Sequence, residues 1–220
     1  HLCRAVLARG LKPQMAVFSE SFWPQAPAQW SAVAGKTLVI ADALWPEFSG
    51  LESPAPMGFV MALPSAPALQ AEAASVVLDR VQDAGNVGSM LRSAAAMGVT
   101  QVLALKGTAA LWSPKVVRSG MGAHFALNLI EGLDVEDLAP LQVPLVVTLP
   151  HHGPWLHELA ASQCLPYPCA WVLGHEGQGV SAEIMALVTQ KIRIAQPGGE
   201  ESLNVATAAA ICFHASATSK

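Results

Sequence analysis

The stretch GEESLNVATAAAICF, residues 199–213, decides how this chain is read. Polar and glycine residues lead into Ser202, Leu203 and Asn204, and small, apolar residues then continue almost to the C-terminus. Ser202 is expected to cap a helix there, because its hydroxyl can accept from a free backbone N–H of the first turn. The Ala-rich run behind it is a strong helix former. Taken alone, this is a capped, buried C-terminal helix. Two earlier stretches with the same strand–loop–helix character give it a further meaning.

The first is LDRVQDAGNVGSMLRSAAAMG, residues 78–98. A strand passes through a polar turn into a helix expected to open at Asn86, a good N-cap. Gly88 falls in the first turn, where free N–H groups can meet an anion or a hydroxyl. Arg92 follows on the same helix, flanked by small residues. The second is WVLGHEGQGVS, residues 171–181, with Gly174, Gly177 and Gly179 between a buried strand and a helix capped by Ser181. The third is the opening stretch together with IRIAQPGG, residues 192–199, which runs into it. Each has an ordinary explanation: a surface arginine, a glycine turn, a capped helix. In an open α/β sheet, however, ligands bind beyond the carboxyl ends of the strands. Three such junctions in one domain put their loops on one edge of the sheet, where backbone groups can hold a small ligand.

The rest of the chain frames that site. Its 220 residues suit one large or two small domains. With 52% hydrophobic and 13% charged residues, a sizeable core is expected and global disorder is not. No apolar run reaches the ~18 residues of a membrane span; Asn204, Thr207 and His214 interrupt the apolar C-terminal segment. The chain opens at His1 as if in the middle of a helix, which suggests an N-terminal truncation. Cys3, Cys164, Cys169 and Cys212 form no C-x-x-C pair, and free thiols in a reducing cytosol are expected. A net charge of −4 is a weak argument against a nucleic-acid partner. His151, His152 and His157 have no partner at a metal-ligand spacing, so no metal is expected. No dinucleotide or P-loop fingerprint and no G-x-S-x-G occurs, which disfavours a nicotinamide-dependent oxidoreductase.

Residues 1–63 read as a small α/β unit: a helix to about Arg9, a strand at 14–19, a short helix near 42–48 and a strand at 58–63. Residues 64–74 read as a linker. From residue 75 on, apolar strands alternate with helices: strands at 75–81, 101–105, 125–130, 144–149, 170–173 and 191–194, helices at 86–97, 114–121, 134–141 and 181–188, and the last helix. That order implies a parallel sheet covered on both faces.

The three stretches resemble, in order and spacing, the three motifs of the SpoU (TrmH-like) family of SPOUT methyltransferases. Asp83, Asn86, Gly88, Arg92, Ala94 and Gly98 match the first motif. Gly174, Glu176, Gly177 and Gly179 match the second, and Ile194, Gly198, Ser202, Leu203, Asn204, Val205 and Ala209 the third. Pro114, Arg118, Ser119, Gly122, Ala123 and Phe125 are similar to the family's central segment. The first third resembles an L30e-like substrate-binding domain, including Gly50, Pro54 and Gly58. Departures from the pattern are Ala195 and Gln196 where Pro-Met is common, His175 where Ser or Asn is common, and Ala84 in place of a frequent proline.

The resemblance implies an α/β fold: a parallel-sheet domain over 75–220 with a deep trefoil knot, an exception to the rule against threaded chains, behind a small L30e-like domain. It implies methyl transfer from S-adenosylmethionine to a ribose 2′-hydroxyl of rRNA or tRNA by a cytoplasmic homodimer. Asn86, Arg92, Glu176, Ser202 and Asn204 would form the catalytic and RNA-contacting cluster. Leu149, Gly174, Ile194 and Leu203 would line the cofactor pocket. The competing reading is a non-catalytic RNA-binding or ribosome-assembly factor on the same fold.

Overall fold

The computed structural model describes every residue except 50–52, 66, 199–201 and 220. Gly50 of the expected N-terminal motif and Gly199 of the last junction therefore lie outside the described residues. The chain divides into two units, His1–Ser65 and Ala66–Lys220.

In the first unit, α1 (Leu2–Ala8) ends before Gly10, whose φ of +65° turns the chain. Strand β1 (Met15–Ser19), helix α2 (Ala28–Ala32), strand β2 (Lys36–Ile40), helix α3 (Trp45–Ser49) and strand β3 (Met57–Val60) follow. The sheet order is β2-β1-β3, with β1 parallel to β2 and antiparallel to β3. Buried Ala16, Val17 and Phe18 make β1 the centre of this unit, and Trp45 donates its indole N–H to the Ala55 carbonyl at 2.9 Å. The sequence reading missed β2 and α2. Strand β2 lies at the sheet edge and is exposed from Lys36 to Val39, so it carries no inward–outward alternation to read.

The second unit holds strand β4 (Ser75–Asp79), helix α4 (Ala84–Ala96), strand β5 (Gln101–Leu105), helix α5 (Pro114–Gly120), strands β6 (Asn128–Leu133) and β7 (Leu145–Thr148), helix α6 (Leu156–Ala161), strand β8 (Ala170–Gly174), helix α7 (Ala182–Leu187), strand β9 (Gln190–Ile192) and helix α8 (Val205–Thr218). All six strands are parallel, in the order β6-β5-β4-β8-β7-β9. Strands β4, β5 and β8 are buried at every residue, as expected of a sheet covered on both sides.

Alternate residues face two separate cores. Val76, Leu78, Val102, Ala104, Val146, Trp171 and Leu173 join the apolar faces of α4 and α8, while Val77, Leu103, Leu105, Leu145, Val147 and Val172 join Ile184 of α7. Each buried Val, Leu or Ile side chain among them contributes roughly 1.5–3 kcal/mol on burial. Helix α8 buries Ala209, Cys212, Phe213 and Ser216, the i, i+3, i+4, i+7 positions of one face. The Ser216 hydroxyl accepts from the Trp171 indole N–H at 2.9 Å and so satisfies the polar atoms where α8 crosses β8. The four cysteines are free; burial pushes the Cys169 thiol up to about 12 and that of Cys212 higher still. Among the described residues no helix is long and apolar enough to cross a membrane.

Several boundaries differ from expectation. Strand β6 starts at Asn128 because Met121 and Gly122 are left-handed (φ +50° and +94°) and a 3-10 turn follows at Ala123–Ala126. The helix expected at 134–141 is a 3-10 turn, Val135–Leu138, held by a reciprocal Asp134–Asp137 capping box. Helix α6 occupies part of the Gly-, Pro- and His-containing stretch between the strands expected at 144–149 and 170–173, where no element is expected. Residues from Ala68 on, read as part of a linker, are tied to the second unit: Gln70 exchanges hydrogen bonds with the Gln101 carboxamide at 2.7 and 3.1 Å, and the Ala68 and Ala71 carbonyls accept from Asn128 and Gln142.

Candidate active site

Three loops meet beyond the carboxyl ends of β4, β8 and β9, and the helices that follow each strand begin differently from what the sequence suggests. Helix α4 opens two residues before Asn86. Asp83 is its N-cap, its carboxylate accepting from the Asn86 N–H at 2.7 Å. Asn86, relieved of capping, turns its side chain to other partners. Helix α8 is capped by Asn204 and not by Ser202. The Asn204 Oδ1 accepts from the N–H groups of Ala206 and Thr207 at 2.9 and 3.2 Å, positions for which a Ser202 hydroxyl is two residues too early.

These caps determine the amide orientations of a continuous bridge. Because the Asn204 Oδ1 faces its own helix, its Nδ2 points outward and donates to the Asn86 Oδ1 at 3.0 Å. The Asn86 Nδ2 then donates to Glu176 Oε1 at 3.1 Å. Glu176 also accepts from the backbone N–H groups of Asp83, at 3.1 Å, and Gln82, at 3.2 Å. A carboxylate that is an acceptor only must end such a chain, so the direction of every bond is consistent. Partial burial by itself would raise the Glu176 carboxyl. The Asn86 amide and the backbone N–H groups of Glu176, Asp83 and Gln82 outweigh that and hold it below the usual carboxylate range.

The glycine loop after β8 presents Glu176. His175 and Gly179 exchange backbone hydrogen bonds at 3.0 and 2.8 Å, closing the loop on itself. Gly174 makes the closure possible, since a Cβ there would sit 2.3 Å from the Gly179 carbonyl carbon and 2.4 Å from the Val180 nitrogen. The departure at His175 has a local reason: its Nδ1 accepts from the Gly177 and Gln178 N–H groups at 2.9 and 3.2 Å, which places the ring proton on Nε2. Buried Asp79 accepts from the Ser181 N–H at the start of α7 and from the Arg80 Nε, while Arg80 reaches Gln178 at 3.0 Å. The sequence reading missed this strut. Its signal is Arg80 itself, an arginine at φ +60° directly after a buried strand.

A cleft of about 450 Å³ opens beside the bridge. Of the expected site residues, Leu149, Gly174, Glu176, Ile194, Ser202, Leu203 and Asn204 line it, and Asn86 reaches it through Glu176 and Asn204. Arg92 is not brought in. It stands exposed on α4, without an ion pair or hydrogen bond among the described residues. Gly88 is not an anion site either. It is buried against α5, and a Cβ there would overlap the Ser119 hydroxyl at 1.9 Å, so it serves close helix packing.

The cleft has an aliphatic wall from Val147, Leu149, Leu173, Ile194, Leu203 and Val205, to which Thr148 and Gln196 add polar groups. Oε1 of Gln196 is buried without a hydrogen-bond partner among the described residues. Such an atom costs about 1–3 kcal/mol unless something donates to it. A small ligand with an apolar body and a few donors fits this lining. Among the described residues, no three His, Cys, Asp or Glu side chains gather as metal ligands.

Comparison with known proteins gives the same second unit a family. The SpoU rRNA Methylase family matches residues 73–214. The 23S rRNA (guanosine(2553)-2′-O)-methyltransferase RlmP of Bacillus subtilis is 33% identical over 142 residues, 63% of this chain and 56% of that protein. An uncharacterized tRNA/rRNA methyltransferase of Synechocystis is 34% identical over 146 residues, 63% of this chain and 51% of that protein, so the chain aligns with only about half the length of these curated relatives. Among solved structures, a putative RNA methyltransferase of the TrmH family from Porphyromonas gingivalis superposes with a TM-score of 0.80 at 28% identity, covering 98% of this chain and 86% of that one. An AdoMet-bound rRNA methyltransferase from Sinorhizobium meliloti superposes with a TM-score of 0.78 at 25% identity, covering 98% and 83%. With the family match spanning most of the chain, and the three strand–loop–helix junctions joined by one hydrogen-bonded bridge beside the cleft, this protein belongs to the SpoU rRNA methylase family.

Proposed function

We propose that the chain is an S-adenosylmethionine-dependent RNA methyltransferase acting on a ribose 2′-hydroxyl of rRNA or tRNA. The observation that carries this reading is the Glu176–Asn86–Asn204 bridge standing at the polar end of an otherwise aliphatic cleft. Membership of the family supports it, as do the 2′-O specificity in the name of the Bacillus relative and the AdoMet bound to the Sinorhizobium protein.

Leu149, Gly174, Ile194 and Leu203 would hold the cofactor, and their apolar surroundings suit an adenosine. When bound, S-adenosylmethionine supplies a methyl cation equivalent: the S–CH₃ bond breaks as the O–CH₃ bond forms, leaving S-adenosylhomocysteine and a proton. Asn86 and Asn204, both oriented by the Glu176 end of the bridge, position polar groups at the mouth where an RNA hydroxyl would approach. Much of the acceleration would come from that positioning. Glu176 remains ionised near neutral pH and acts as an acceptor and a negative charge beside a cationic reactant, not as an acid. Arg92 cannot accept a proton while charged. It would bind an RNA phosphate and orient the hydroxyl, with the proton leaving to water or to a transiently neutral guanidine.

Because Arg92 is exposed and makes no hydrogen bond or ion pair among the described residues, the proposal includes a two-fold homodimer in which Arg92 serves the partner's cleft. The reading also includes a knotted threading of α8, an L30e-like RNA-binding role for the first unit, and a cytoplasmic location. The test is incubation of the protein with methyl-labelled S-adenosylmethionine and rRNA or tRNA, followed by alkaline hydrolysis. Label in alkali-resistant dinucleotides is expected. Label confined to single nucleotides would move the reaction to a base. Cofactor binding without transfer to any RNA would favour the non-catalytic RNA-binding reading.

A further inference from the structure

We infer that Gln196 is a specificity residue for the purine of the cofactor, its carboxamide oxygen accepting from the 6-amino group. The inference rests on the proposed use of the cleft by an adenosyl ligand and goes beyond it. Family resemblance points to a backbone-lined pocket and puts a methionine at this position, whereas this chain places a carboxamide there.

Three observations converge. Gln196 lines the cleft, and its Oε1 is buried with no donor among the described residues. Buried acceptors in folded proteins nearly always have a partner, so an orphan at a ligand cleft marks where a ligand donor belongs. The neighbouring wall is aliphatic, from Ile194, Leu149 and Leu203, and so suits the flat face of a purine better than a charged ammonium. The position also selects among the donors of an adenosyl cofactor. The Glu176–Asn86 end of the bridge lies beyond β8 and β4, and Asn204 joins it only at the start of α8, whereas Gln196 sits just past β9, which is separated from β8 by β7. Two strand spacings amount to about 10 Å. The ribose hydroxyls and the ammonium lie close to the sulfonium, and the 6-amino group is the donor farthest from it. A glutamine carboxamide is also a good complement to adenine, pairing an acceptor with the amino group and a donor with a ring nitrogen.

The test is isothermal calorimetry on the full chain with S-adenosylhomocysteine and its analogue lacking the purine 6-amino group. The wild type should prefer the adenosyl ligand by about 10-fold or more, because a site built to hydrogen-bond a group rejects the ligand lacking it. Gln196→Met should weaken the adenosyl ligand by about 10-fold, leave the analogue unchanged and so abolish the preference. Gln196→Glu, which keeps acceptor oxygens, should retain a preference. A preference that survives in Gln196→Met, an equal loss of both ligands, or a Gln196→Glu variant without preference overturns the inference while the proposed function stands. Failure of the wild type to bind S-adenosylhomocysteine at all would overturn both.

Discussion

Two sets of polar groups border the same end of the sheet, and they differ in how completely the chain satisfies them. The bridge from Glu176 through Asn86 to Asn204 is closed: two backbone N–H groups and the Asn86 carboxamide converge on one carboxylate, the Asn204 amide donates to Asn86, and the Asn204 oxygen caps α8. Arg92, Ser202 and the Gln196 Oε1 are open, with no hydrogen-bond partner among the described residues. The closed set couples the three junctions into one rigid frame. The open set is what that frame leaves available to other molecules.

The largest break in this division should come from Arg92→Ala. On the proposed reading it lowers methyl transfer by at least about 10³-fold while S-adenosylhomocysteine binding stays within about 3-fold, because Arg92 touches nothing in its own cleft. Near-normal methylation by the variant would remove Arg92 from both roles given to it. Gly174→Ala tests the frame. Its Cβ would overlap the Gly179–Val180 peptide, so the loop must shift, and cofactor affinity should fall by about 10²-fold together with a loss of roughly 2–4 kcal/mol of stability. Calorimetry and denaturant unfolding would measure the two effects separately.

Asn204 belongs to both the cap and the bridge, and two variants separate them. Asn204→Ala should cost about 1 kcal/mol from the lost cap and about 10- to 100-fold in rate. Asn204→Asp keeps the cap, so stability should stay within about 0.5 kcal/mol, yet it offers no N–H to Asn86 and should be as slow as the alanine variant. Equal rates for Asn204→Asp and wild type would reduce Asn204 to a capping residue. Acid offers a gentler break. The Glu176 carboxyl is held below its ordinary value, so its contribution is present above the usual carboxylate range and is lost as pH falls through the lowered value. No limb of the pH–rate profile between about pH 6 and 8 should vanish in Glu176→Gln, whereas the acid limb should move. The smallest effect is expected for Ser202→Ala, whose stability should change by less than about 0.5 kcal/mol because Asn204, not Ser202, caps α8. A loss near 1 kcal/mol would return the cap to Ser202.

Legibility in the sequence followed the length and environment of each element. Strands β4, β5 and β8 are continuous apolar runs buried on both faces, and their positions were evident. Helices α4 and α8 were evident too, though both caps were assigned to the wrong residue, because Asp83 and Asn86, like Ser202 and Asn204, are all competent caps. Choosing between them needs the first helical dihedral angles, which local composition does not determine. The exposed edge strand β2 and the six-residue helix α6 carry too little pattern to be read. Gln196 was visible only as a departure from a family pattern, and Arg80 was not singled out at all.

What the sequence by itself determined is therefore the alternation of strand and helix, the parallel sheet that alternation requires, and the three glycine-bearing junctions that face one edge of it. Periodicity and helix-forming tendency are local properties, and they survive without knowledge of the fold. Only the tertiary structure decided which polar groups close on one another and which stay open. Glu176 meets Asn86 across 90 residues of chain and Asn86 meets Asn204 across 118, so neither contact has a local signal. The same holds for Gly88, whose missing side chain is explained by Ser119 on the next helix and by nothing in its own neighbourhood.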